Sequence, residues 1–314
     1  MGVHATTIKQ KSTIYITIAL LFLFNFSFAQ DSTKSPKGAI APEELKGFTQ
    51  TIYYSAGYEK RAKDIAVFLE LAGNYFQQQI GFTPKTKLYI LGPEQWKDFA
   101  AEPLKDVYGF PHNPNQVSLV IAAADNDFWR SFLPPVDQLP QLIAAQVKEA
   151  YGKPDGSYSM MPFFDLLALH EMGHSYTAQA GLKMHRNWMG ELFVNIMLHT
   201  FIAETKPELL PALEAFPTMV IDGGTEAYKY TSLEDFEKLY STMGMGPKNY
   251  GWYQCKLHSA AKDIYNIGGK RVLKKIWKAM KKHQEKMSDE EFAVMLKKEV
   301  HPAVANVYLQ WNKN

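Results

Sequence analysis

Hydrophobic and polar positions alternate in short stretches over the first half of the chain, and three of these stretches have the β-branched or alternating character of strands. The predicted strands are Thr51–Ser55, Lys87–Leu91 and Ser118–Ala123. Between the first two, residues 59–80 carry apolar side chains at helical spacing, and Gly81 ends the pattern. A β-α-β-α-β order follows, which predicts a small α/β lobe within residues 45–160.

From Pro162 onward the pattern is almost wholly helical. Apolar residues recur every three or four positions, which predicts helices at about 162–180, 188–204, 232–242, 250–266, 270–284, 288–298 and 301–312. A connection rich in proline and glycine covers residues 131–162 and includes one short predicted helix at Gln141–Ala150. The expected fold class is therefore α+β, with an N-terminal α/β lobe at 45–160 and a helical lobe at 161–314 that together form one unit.

The first 29 residues have the pattern of a secretory signal peptide. Lys9 and Lys11 precede an apolar run of 13 residues, and Ser27-Phe28-Ala29 offers small residues for cleavage before Gln30. The alternative is a membrane anchor, but a spanning helix needs about 20 apolar residues. Residues 30–44 are polar and contain proline and glycine, as in a flexible leader. We expect an exported protein, periplasmic or extracellular, with no integral membrane segment after cleavage.

Composition narrows the class of protein without identifying it. The chain of 314 residues is 46% hydrophobic and 21% charged, which excludes a disordered or low-complexity protein. Its single cysteine, Cys255, is expected to be a small buried hydrophobe. A net charge of +2 gives no expectation of nucleic-acid binding. The basic segment 270–283 favours a core helix with a solvated face, the alternative being a helix on an anionic membrane surface.

The strongest chemical signal is His170-Glu171-Met172-Gly173-His174, inside the predicted helix 162–180. Positions i and i+4 share one helix face, so both imidazoles can bind one metal ion. Glu171 can then contact a metal-activated water as a general base. The alternative is a core helix with two hydrogen-bonded histidines. Because Gly173 costs about 1 kcal/mol in a helix relative to alanine, we expect another element to pack closely beside it.

A third ligand is expected at Glu191, because a catalytic zinc ion has three protein ligands and one open position. Glu191 lies seventeen residues beyond His174 in a strongly apolar helical pattern that begins at Trp188. The alternative is an acidic residue favoured by the helix dipole. Asn195, one turn later, either orients a ligand histidine or is a buried polar group bonded to the backbone. His199 follows a further turn along.

These residues resemble the gluzincin metallopeptidases, the group that includes the thermolysin-like enzymes and the aminopeptidase N family. In that family H-E-x-x-H is followed on the next helix by a glutamate ligand in a W-x-x-E context, and the matching residues here are His170, Glu171, His174, Trp188 and Glu191. The resemblance covers residues 162–200. It implies a zincin-like fold with the active-site helix at the junction of two lobes, one Zn²⁺ per chain, a peptide or protein substrate, and Glu171 as general base.

The resemblance also implies a tyrosine that donates a hydrogen bond to the oxyanion of the tetrahedral intermediate. Tyr253 precedes Gly268-Gly269 at a distance like that of the family, and it is the predicted second catalytic residue, with Tyr250 as the other candidate. The alternative for Tyr253 is an amphipathic tyrosine of the core. The Gly-x-Met-Glu-Asn segment by which aminopeptidase N relatives capture a free amine does not occur in this sequence. Both endopeptidase and exopeptidase specificity stay open.

The sequence therefore predicts an exported zinc metallopeptidase. The same residues would also serve a zinc hydrolase of a non-peptide amide or ester, or a catalytically inactive zinc-containing envelope binding protein. A structural envelope protein with a chance motif is a further alternative. The substrate and the oligomeric state are not determined by the sequence.

Overall fold

The computed structural model describes residues 41–102, 104–242 and 244–313. The predicted signal peptide, 1–29, and the predicted leader up to residue 40 lie outside the described residues. The last residues assigned to the leader belong to the fold, because Glu43–Leu45 forms the first strand. The sheet thus includes residues before 45, and the polar character of Glu43 and Glu44 explains why the sequence did not predict this strand.

A four-stranded mixed sheet forms the first half of the molecule. Its strands lie in chain order: β1 (Glu43–Leu45), β2 (Thr51–Tyr54), β3 (Lys87–Leu91) and β4 (Ser118–Ala122). β1 is antiparallel to β2, and the other neighbours are parallel. All five residues of β4 are buried, which explains its continuous apolar run. The three predicted strands are confirmed to within one residue.

Four α-helices lie in the same half of the described chain as the sheet. They are α1 (Glu59–Ile80), α2 (Pro93–Phe99), α3 (Asp127–Arg130) and α4 (Gln141–Tyr151). α1 connects β2 to β3 and buries the apolar stripe that predicted it, including Ile65, Leu69 and Phe76. Parallel neighbours such as β2 and β3 need a crossover connection, and α1 supplies it.

The second half is helical. It contains α5 (Met161–Gln179), α6 (Asn187–Thr205), α7 (Leu210–Asp222), α8 (Leu233–Leu239), α9 (Gly246–Gly268), α10 (Arg271–Lys282), α11 (Asp289–Met295) and α12 (Pro302–Leu309). A π-helical turn at Leu296–Val300 joins the last two. The α+β class is confirmed. The sequence did not predict α7, because Pro211 and Pro217 both disfavour a helix; Pro211 occupies the first turn and Pro217 is buried inside.

α5 lies at the junction of the sheet and the helical body. The Arg61 guanidinium of α1 donates to both carboxylate oxygens of Asp165 in α5, at 3.0 and 2.6 Å. The same guanidinium donates to the carbonyl oxygen of Ala122 at the end of β4. Nearby, the rings of Trp129 and Phe164 stack with their centroids 4.9 Å apart. These contacts fix the helix that carries the motif to the sheet.

Two composition-based expectations concern the helical body. α10 buries its apolar residues, among them Ile276 and Trp277, and exposes its lysines, which confirms a core helix with a solvated basic face. Cys255 in α9 is 1% exposed, and burial raises the pKa of its thiol. In the part of the chain that the structure describes, no helix is both long enough and apolar enough to cross a membrane.

Candidate metal centre

Three potential ligands converge from α5 and α6. The Nε2 atoms of His170 and His174 are 3.3 Å apart, and the Glu191 Oε2 atom lies 3.2 Å from the first and 3.7 Å from the second. His170 and Glu191 are buried, whereas the His174 side chain is 27% exposed. The cluster is therefore closed on one side and accessible at His174. This buried His₂Glu group could hold a metal ion.

The close approach of α5 and α6 depends on Gly173. A Cβ atom at this position would lie 2.8 Å from the Cβ of Val194, which is shorter than real side-chain contacts allow. The sequence expectation of a close neighbour beside Gly173 is thus confirmed. Gly181 lies just beyond the end of α5 and has a φ of +65°, a conformation that glycine adopts without strain. The chain turns there and continues into α6. Both glycines help to bring Glu191 to the histidines.

A hydrogen-bond chain begins at the far side of His170. Its Nδ1 atom lies 2.7 Å from the Asn195 Oδ1 atom, which is the contact that one of the two sequence interpretations of Asn195 required. The Asn195 amide then donates to the Gln254 Oε1 atom at 3.3 Å. Asn195 is fully buried. The amide chain thus reaches from His170 on α5, through Asn195 on α6, to Gln254 on α9.

The carboxylate of Glu191 receives a donor on each oxygen. Tyr240, just beyond α8, donates its hydroxyl to Oε1. Gln254 donates its amide to Oε2 at 2.7 Å and also to the Tyr250 hydroxyl oxygen at 2.8 Å. These donors, together with the two imidazoles, stabilise a charge that burial alone would disfavour.

Burial and mutual charge determine the proton affinities of the cluster. Burial raises the pKa of Glu191, but the charges and hydrogen bonds of the histidines outweigh it, so this pKa is lowered. Burial, together with the charge of Glu191, raises the pKa of Glu171 to about 8, although His170 opposes the change. Burial also raises the pKa values of Tyr240 and Tyr250, and Glu191 adds to the effect. The pKa values of these two carboxyl groups, on neighbouring helices, are thus shifted in opposite directions.

The segment before β4 lies along the outer side of α5. Asn113 donates its amide to the carbonyl oxygen of Glu171 at 3.0 Å and to the Ser175 hydroxyl at 2.8 Å. The preceding residue, His112, forms an antiparallel bridge with Val120 of β4. The sheet edge therefore holds the backbone that carries Glu171.

The structure does not bring Tyr253 to the cluster. Its hydroxyl donates to the carbonyl oxygen of Ser232 at 2.7 Å, and its ring packs against Phe236 and Trp311. Tyr250, the other candidate, belongs to the hydrogen-bond network of Glu191. Tyr250 and Gln254 are four residues apart and share the face of α9 toward α6, whereas Tyr253 lies on an adjoining face.

The sequence analysis missed two residues of the centre. Gln254 has a signal in the sequence, because its spacing of four from Tyr250 equals that between Glu191 and Asn195. Tyr240 has none, since it follows a short helix whose position relative to α6 depends on tertiary packing.

His199 belongs to a different cluster, in which its Nε2 atom lies 3.2 Å from Glu214 and Lys262 donates to the same carboxylate. Its two-turn distance from Glu191 therefore does not bring it to the metal centre.

A scan against protein-family models, a search of curated proteins and a search of solved structures each found no match to this chain. The class of protein is accordingly defined by its own residues. It is an α+β protein with a small mixed sheet and with a buried His₂Glu cluster between α5 and α6.

Proposed function

We propose that this chain is a zinc-dependent metallopeptidase of gluzincin type, which hydrolyses peptide bonds. The observation that carries the proposal is the convergence of both motif histidines and Glu191, from the next helix, on one point. The order of a sheet lobe, a motif helix at the junction and a helical body supports a zincin-like architecture.

The spacing of the ligand atoms fits zinc. Nitrogen and oxygen ligands about 2.1 Å from one tetrahedral ion lie about 3.4 Å from each other. The three separations in the cluster are 3.2, 3.3 and 3.7 Å. Two imidazoles and one carboxylate are also a known ligand set of catalytic zinc. The His174 side chain is 27% exposed, so water and substrate would approach the ion from this side.

Zinc bound by His170, His174 and Glu191 would polarise a carbonyl group and acidify a water molecule. Glu171 follows the first ligand on α5, and its carboxylate accepts the proton of the attacking water and delivers it to the leaving amine. The Tyr250 hydroxyl would donate to the oxyanion, the role first expected of Tyr253, and its contact with Gln254 in the network of Glu191 supports this assignment. Asn195 orients the imidazole of His170 throughout.

The first test is the metal content of the purified protein, measured by inductively coupled plasma mass spectrometry. We expect about one zinc per chain in the parent and in Glu171→Gln, and none in His174→Ala. Peptide hydrolysis should be lost in both variants. A parent that binds no metal when zinc is supplied, or a Glu171→Gln variant as active as the parent, would contradict the proposal.

A substrate panel separates the peptidase from the alternatives. Quenched fluorescent peptides, with and without a free amino terminus, are compared with simple esters and non-peptide amides. Turnover of esters or non-peptide amides alone would favour the other zinc hydrolases. Zinc binding without any turnover would favour an inactive binding protein.

A further inference from the structure

The facing sides of α6 and α9 carry polar residues at the same four-residue spacing. On α6 they are Glu191, Asn195 and His199, and on α9 they are Tyr250, Gln254 and His258. Gln254 is central, since its amide contacts Asn195, Glu191 and Tyr250. We infer that Gln254 is a positioning residue that sets the direction of the hydrogen-bond chain between His170 and Glu191, and so prepares both ligands for the metal. The inference rests on the proposed metal site.

The direction of the chain is set at Glu191. An ionised carboxylate can only accept hydrogen bonds. The Gln254 group that lies 2.7 Å from Oε2 must therefore be its NH₂ group. The amide carbonyl of Gln254 is then turned toward Asn195, where it can only accept. One end of the chain thereby fixes the orientation of the first amide.

The same reasoning passes along the chain to the histidine. Because the Gln254 carbonyl accepts, Asn195 must present its NH₂ group to it, and the Asn195 carbonyl faces His170 Nδ1 at 2.7 Å. A carbonyl oxygen requires a proton on that nitrogen. The Asn195 carbonyl thus keeps a proton on Nδ1 of His170, and Nε2, which faces Glu191 and His174, is the nitrogen left to bind a metal ion. This is the form in which an imidazole binds a metal.

The second amide hydrogen of Gln254 determines the role of Tyr250. The Gln254 amide nitrogen lies 2.8 Å from the Tyr250 hydroxyl oxygen, so this oxygen accepts and its own proton is not used in that bond. The phenol remains able to donate to another acceptor. A single amide thus orients two metal ligands and one proposed oxyanion donor.

Burial makes the chain sensitive to the loss of a link. Glu191 is 1% exposed and Asn195 is fully buried, so water cannot readily replace a missing partner there. A buried polar group without a partner is costly, and the surrounding side chains would reorganise to avoid it. Reorganisation would move Glu191 or turn the imidazole of His170.

The test compares the parent with Gln254→Met, which has a similar length and cannot form these hydrogen bonds. The matched control is Gln179→Met. Gln179, at the end of α5, also forms three hydrogen bonds, with backbone atoms of Lys85 and Gln116. Zinc affinity is measured by competition with a chromophoric chelator. We expect a 10- to 100-fold loss of affinity in Gln254→Met and no change in the control.

The hydrogen bond at the end of the chain is measured on the zinc-loaded protein by the ¹H and ¹⁵N signals of the His170 Nδ1–H group. The parent should show one slowly exchanging Nδ1–H signal, and Gln254→Met should show a faster exchange of that proton. Gln254→Glu retains an acceptor for Asn195 and should retain the parent signal. Binding of zinc through Nδ1 of His170 in the parent, so that the proton is on Nε2, would overturn the inference even if the Met variant fails to fold. Unchanged zinc affinity in a folded Gln254→Met variant would also overturn it.

These measurements are independent of turnover. A protein that binds zinc and shows the expected Nδ1–H signal but cleaves no peptide would refute the proposed function and leave the role of Gln254 intact. A protein that hydrolyses peptides and binds zinc equally well in the parent and in Gln254→Met would support the proposed function and refute the role of Gln254.

Discussion

A carboxylate that is 1% exposed is stable at Glu191 because its neighbours compensate the charge. Tyr240 and Gln254 each donate to one oxygen, and the histidine nitrogens lie within 3.7 Å of Oε2. The same arrangement explains why the pKa values of the two carboxyl groups differ. Among the residues that the structure describes, no comparable set of hydrogen-bond donors reaches the Glu171 carboxylate. The proposed ligand and the proposed base thus differ in their hydrogen-bond partners.

The two tyrosines of α9 offer a test of the proposed oxyanion donor. Tyr250→Phe should lower kcat for peptide hydrolysis about 100- to 1000-fold, because the donor is lost only in the transition state. Tyr253→Phe should leave kcat within a few-fold of the parent, since its hydroxyl serves Ser232. Steady-state kinetics on both variants decides between them. A large loss in Tyr253→Phe alone would contradict the assignment.

His112 gives the molecule a pH dependence. Burial lowers its pKa to about 4, and Nε2 accepts from the Ala101 amide at 3.0 Å. Below pH 6.5 the unfolded chain takes up this proton more readily than the folded one, so stability falls from about pH 6.5 to about pH 4. His112→Gln keeps a hydrogen-bond acceptor and has no group that titrates in this range. Between about pH 6.5 and about pH 4 its free energy of unfolding should therefore fall by up to about 3 kcal/mol less than that of the parent. Urea unfolding at several pH values measures it, and equal losses in both proteins would exclude this role.

At the residue scale, the sequence was sufficient to predict that His170, His174 and Glu191 lie together, because their spacing is dictated by one helix and by a strongly apolar second one. His170 and His174 are one turn apart whatever surrounds them. The choice between Tyr250 and Tyr253 depends instead on which face of α9 lies against α6. That rotation is set by packing along α9, and the sequence contains no direct record of it.

At the scale of elements, the contact between α5 and α6 brings the ligands together. It requires a glycine at position 173, where a side chain would meet Val194. The predicted helix pair is present because each helix has a clear apolar pattern. The sequence did not predict α7, because its two prolines are tolerated only in the context of its buried neighbours. It did not predict β1, because pairing with β2, and not the composition of the segment, makes it a strand.

Two mid-helix glycines provide a matched pair of substitutions. Gly173→Ala should lower the free energy of unfolding by about 1–3 kcal/mol through overpacking and should also weaken zinc binding. Gly73→Ala, in α1, meets no atom within 4 Å and should be neutral or stabilise by about 1 kcal/mol. Chemical unfolding and chelator competition measure both effects. Equal stability changes would show that the close approach of α5 and α6 is not tight.

At the scale of the whole molecule, the sheet and the helical body are joined through Arg61, which contacts β4 and α5 together. The Arg61 and Asp165 side chains are 14% and 31% exposed, so the pair is neither fully buried nor a surface ion pair. Burial raises the pKa of Asp165 despite the guanidinium. The two halves predicted from the change in hydrophobic pattern are therefore connected by charge as well as by apolar packing.

A double-mutant cycle tests this connection. Arg61→Leu should lower the free energy of unfolding by about 2–3 kcal/mol, because it leaves Asp165 without its partner. Arg61→Leu combined with Asp165→Leu should be less destabilised than the sum of the single variants. Additive losses would show that the two side chains do not interact energetically. Thermal and urea unfolding of the four proteins supply the values.

The single thiol of the chain has a practical consequence. Cys255 follows Gln254 on α9, is shielded from solvent and has a raised pKa, so a thiol reagent should reach it only when α9 detaches. The rate of its alkylation then measures how often α9 detaches. Zinc should lower that rate if Glu191 and Gln254 hold α9 in place. A rate independent of zinc would mean that α9 detaches without disturbing the proposed metal ligands.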